Sequence, residues 1–188
     1  MPITPAATPI MLGALTSAGV IGPSTPQLAS GVVNGVCKWI KTVTVTAPST
    51  GTLGAGQGIT QLIVPPFTLA QALTLGFAAK QILGPMSPLL ITGLANGLSQ
   101  VFAQGTVLTT HASVGVGGGT VKFSPGAPGP LITQGMQEAG MPGDGPVKMG
   151  GAIGIALTTV FSALALTLVV AGPPNIVPGA GVGFGKII

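Results

Sequence analysis

One string of elements recurs along this chain at a fixed spacing, and that spacing constrains the fold before any local reading does. Gly22-Pro23-Ser24-Thr25-Pro26 leads into Leu28-Ala29-Ser30-Gly31-Val32-Val33-Asn34-Gly35, and Gly84-Pro85-Met86-Ser87-Pro88 leads into Leu90-Ile91-Thr92-Gly93-Leu94-Ala95-Asn96-Gly97. From Pro26 to Pro88 the offset is 88 − 26 = 62 residues, and Asn34 to Asn96 repeats it. At that offset Thr42-Val43-Thr44-Val45 falls on Gln104-Gly105-Thr106-Val107, and both run on into glycine-rich stretches, 51–58 and 115–119. A third copy is more diverged. Ala139-Gly140 echoes Ala18-Gly19, Gly143-Asp144-Gly145-Pro146 stands where the Gly-Pro turn was, and 151–157 replaces the Asn-Gly segment. It ends on Gly179-Ala180-Gly181-Val182-Gly183-Phe184-Gly185. The chain therefore divides into repeat units 1–66, 67–126 and 127–188, expected to form one assembly.

Each unit reads as helix, Gly/Pro turn, second helix, strand and Gly-rich hairpin, so the expected fold class is α+β in three tandem repeats with possible pseudo-threefold symmetry. In the first unit, 9–18 suits a helix, and Ser24 or Thr25 suits the cap of the next, with Pro26 in its first turn. Val32, Val33, Val36, Trp39 and Ile40 recur at helical spacing, as do Leu90, Leu94, Leu98, Val101 and Phe102, which makes them the expected core faces. Thr42-Val43-Thr44-Val45-Thr46 and 106–110 are β-branched and alternate, the pattern of strands, which Pro48 and the glycines are expected to end. Gly31, Gly35, Gly93, Gly97, Gly151 and Gly154 each cost a helix about 1 kcal/mol relative to alanine. Close approach of helix backbones would account for them.

Only 4% of the residues are charged, against roughly 25% in ordinary soluble domains, while 46% are hydrophobic and the mean hydropathy is +0.75. Disordered chains have the opposite balance, so the 32 Gly and 18 Pro read as punctuation. A surface this poor in charge suits a chain whose exterior becomes interface. The net charge of +4 comes from six scattered lysines with no arginine. Specific nucleic-acid binding, which needs clustered cations and bidentate arginine, is not expected. The start, Met1-Pro2-Ile3-Thr4-Pro5, lacks the basic residues of a secretory signal.

Candidate chemistry is sparse. Glu138 and Asp144, six residues apart near a Gly/Pro turn, read as solvated groups and not as an acid/base pair. His111 lacks the partners a metal site needs, and Cys37, beside Lys38, lacks a nearby base. The glycine runs do not have phosphate-loop spacing. The expectation is no catalytic, cofactor-binding or metal residue, no cofactor, and no enzyme. The uncharged stretch 150–172 is long enough to cross a bilayer, which makes a small membrane-associated protein the alternative. Alignment of that stretch with a helix plus a strand in the other two units counts against it.

The pattern from Leu12 through Gly31, its echo from Gly84 to Asn96-Gly97, and the ending Val177-Pro178-Gly179-Ala180-Gly181-Val182-Gly183-Phe184-Gly185-Lys186-Ile187 resemble virion structural proteins of contractile-tailed bacteriophages. The resemblance spans most of the chain. It implies a non-enzymatic subunit of a tail, baseplate or neck, assembled in the host cytoplasm, whose partners are other virion proteins in a symmetric homo- or hetero-oligomer.

Overall fold

Among the described residues, apolar side chains at helical spacing, bracketed by proline and glycine, build six helices. They are α1 (Ile3–Ser17), α2 (Thr25–Ile40), α3 (Pro66–Ala78), α4 (Ser87–Gln104), α5 (Pro128–Glu138) and α6 (Gly145–Ala163). The computed structural model describes residues 3–52, 55–61, 63–104, 106–111, 116–121, 127–163, 166–171 and 181–187, with side-chain surroundings for 6–43, 63–104 and 127–161. The chain separates into two units. One comprises Met1–Trp39, Ile63–Ala103 and Pro125–Val160; the other comprises Ile40–Leu62, Gln104–Ser124 and Phe161–Ile188. Every sequence repeat contributes to both.

The first unit is helical throughout. Helix α1 carries Ala7, Met11 and Leu15 four residues apart, all buried. This stripe begins ahead of Pro9, and the helix runs through that proline from Ile3, six residues before the start expected at position 9. Proline starts α3 and α5, where the missing N–H is no loss: Pro65 is extended ahead of Pro66, and Pro128 opens α5. Three turns leave their helices in the same way. Val20 N–H donates to Leu15, Ile82 to Phe77 and Met141 to Met136, while Gly19, Gln81 and Gly140 take positive φ. This is the Schellman ending, with an apolar pair across each turn. The next helices then begin at equivalent points, with Leu28, Leu90 and Lys148 N–H donating to the carbonyls of Ser24, Met86 and Asp144.

Glycines decide which helices touch. A Cβ added at Gly76 of α3 would lie 2.5 Å from the Gly31 carbonyl oxygen and 2.7 Å from Gly35 N on α2. Gly135 of α5 faces Gly93 and Gly97 of α4 in the same manner. Backbone therefore lies on backbone at α2/α3 and at α4/α5, and the surrounding Leu69, Leu73, Phe77, Leu94, Leu98, Ile132 and Met136 are fully buried. The rings of Trp39 and Phe102 sit 4.6 Å apart at the far ends of α2 and α4, in the range of favourable aromatic pairs. The expected core faces are buried except at Leu90, which is half-buried.

The second unit contains six strands: β1 (Thr44–Thr52), β2 (Ala55–Gln61), β3 (Thr106–His111), β4 (Val116–Val121), β5 (Leu166–Ala171) and β6 (Gly181–Ile187). Each pairs antiparallel with the next, and β1 pairs with β6 to close a barrel. Strand β1 continues through Pro48 and Gly51, where the sequence reading ended it, with Pro48 opposite Val182 and Gly51 opposite Gly56. In this register Gly51, Gly56, Gly58, Gly117, Gly119, Gly181, Gly183 and Gly185 fall on one alternation of the ladder. Eight strands leave room for side chains alone inside a barrel, and six leave less, which such an alternation satisfies.

The α+β expectation is corrected accordingly. Where side chains are described the architecture is all-helical, six helices with no strand packed among them. The helices of the three repeats do not share a unit with the strands that follow them. Nor do the helices repeat one packing three times: the close approaches of α6 run through Gly150 and Gly154 onto Thr133 and Gly129 of its own repeat. The candidate bilayer segment 150–172 is likewise divided, between α6 and β5. Among the described residues, no helix is long and apolar enough to cross a membrane.

Candidate functional site

The inter-helix turns of the helical unit converge on one cavity of about 470 Å³. The first repeat supplies Gly22 to its wall and Leu28 to its side, the second supplies the equivalent Gly84 and Leu90, and the third adds Met141 and Met149. Phe77 and Ile82 complete the apolar lining. The volume lies within the range of small-ligand and anchor pockets, and methionine walls adapt to irregular occupants.

Two of the hydroxyls in this wall are already engaged. The Thr25 hydroxyl donates to the Val20 carbonyl at 3.2 Å. In the second repeat the Ser87 hydroxyl donates to the Ile82 carbonyl at 2.9 Å and accepts from Gly84 N–H at 2.7 Å. These hydroxyls tie the turn to the preceding helix end. The wall contains no carboxylate, histidine, cysteine or lysine, so it offers shape and apolar contact without acid/base chemistry.

Within or close in sequence to this lining stand several exposed apolar side chains. Ile21 is 80% exposed, Leu83 59%, Val147 55% and Met86 49%, and Ile21 and Leu83 hold the same place in their repeats. Isolated exposed aliphatics need no explanation, but several grouped around one cavity are a recognised mark of an interaction surface. Sequence reasoning missed this site. Its Gly-Pro segments were read as turns and Leu90 as part of a core face, and bulky apolar side chains flanking Gly-Pro were the signal that was present.

The residues weighed for chemistry remain apart from one another. Glu138 ends α5, where its Oε1 accepts from Gln134 Nε2 at 2.8 Å. Asp144 pairs with Lys148 at 2.6 Å, and the hydrogen bond and charge of that ammonium hold its carboxyl below the ordinary value. Each carboxylate thus has its own partner. Cys37 is half-buried on α2. His111 lies in β3 opposite Gly56, and its side chain is outside the described residues. Among the described residues, no group of three His, Cys, Asp or Glu stands close enough to hold a metal. Compared with known proteins, the chain matches no family model, no curated protein and no solved structure.

Proposed function

We propose that this chain is a non-enzymatic structural subunit of a bacteriophage virion, placed in the tail, baseplate or neck and working through apolar contacts with other virion proteins. The observation that carries the reading is the group of exposed apolar side chains at a cavity whose Thr25 and Ser87 hydroxyls are already bonded. A surface of this kind gains by being covered, because association removes apolar area from water. The low charge of the chain supports the same reading, since interface cores are depleted in charged residues. The virion placement itself rests on the sequence resemblance.

Mass spectrometry of purified particles tests the proposal. The chain is expected at a fixed copy number, retained after detergent treatment of the particles. Its absence from particles, or its loss with detergent-extracted lipid, would remove the virion reading.

A further inference from the structure

We draw no further inference here: the strongest candidate, the apolar cavity gathered from the inter-helix turns of the three repeats, belongs to the site already described, and nothing in the structure shows what covers it.

Discussion

Among the described residues three helix contacts, α2/α3, α4/α5 and α5/α6, bring backbone against backbone, while a cavity opens between α1 and α6. Gly35 and Gly97 stand seven residues beyond the first helical bonds of Leu28 and Leu90, and both lie against the next repeat's helix. Seven residues beyond Lys148 stands Ile155, 66% exposed, beside a cavity of about 370 Å³ whose other wall is Ile10, Gly13 and Ala14 of α1. The repeats are alike in their turns and unlike in this contact. The third repeat has isoleucine where the other two have this glycine, and α6 makes its close approach through Gly150 and Gly154 onto α5 instead.

The largest expected effect separates the two kinds of contact. Phe77 is fully buried against Gly31, so Phe77→Ala is expected to cost about 3–5 kcal/mol in denaturant unfolding. Ile155→Ala, on the open contact, is expected to stay within about 0.5 kcal/mol of native. Equal losses would mean that α1 and α6 pack as tightly as α2 and α3.

The next comparison changes sign between equivalent positions. Gly93 and Gly151 stand at the same place in α4 and α6, but a Cβ at Gly93 would fall 2.6 Å from Met136 Cα, while one at Gly151 meets nothing within 4 Å. Gly93→Ala is expected to destabilise by about 1–3 kcal/mol through forced backbone movement. Gly151→Ala is expected to stabilise by up to about 1 kcal/mol through helix propensity. Thermal melting of the two variants decides the matter, and a gain at both positions would remove the close-approach account of α4 and α5.

Smaller effects belong to the turns, where the repeats agree. Gln81 holds the left-handed conformation that Gly19 and Gly140 hold in the other repeats, with φ of 57°. A side chain is strained there, so Gln81→Gly is expected to add about 0.5–1 kcal/mol, and Gly19→Gln to remove a similar amount. Smallest is the pair at the start of α6. Lys148 holds the Asp144 carboxyl below its ordinary range, so the pair's contribution is present above the unfolded carboxyl's pKa and is lost as pH falls through the lower folded value. A carbon-detected titration of Asp144 should find its midpoint below 3.8, moving upward with salt or in Lys148→Ala. An unshifted midpoint in the native chain would mean the pair is not formed in solution.

Much of the helical unit was legible beforehand. Val32, Val36, Leu94 and Leu98 announced buried faces by their spacing, and the helix glycines announced close approach, borne out at Gly31, Gly35, Gly93, Gly97 and Gly154. Their partners Gly76 and Gly135 passed unnoticed, because a lone glycine in α3 or α5 has no local signature of what lies opposite. Pro9 was read as a helix start and Pro48 as a strand end, and both elements run through them. In each case the neighbouring pattern outweighed a single residue. The turn-end cavity was not legible at all, since its wall is gathered from three repeats and no single stretch of sequence carries it.

By itself the sequence determined what depends on near neighbours: the 62-residue repeat, the apolar stripes of the helices, the Gly-Pro turns, and the scarcity of charge. Tertiary structure alone decided what depends on distant ones. Helices and strands from every repeat were sorted into separate units, Gly31 and Gly35 were set against Gly76, and β1 was closed onto β6. Periodicity states which face of an element seeks burial, but it is indifferent to which other face covers it. That choice belongs to packing and to ladder hydrogen bonds between residues far apart in the chain.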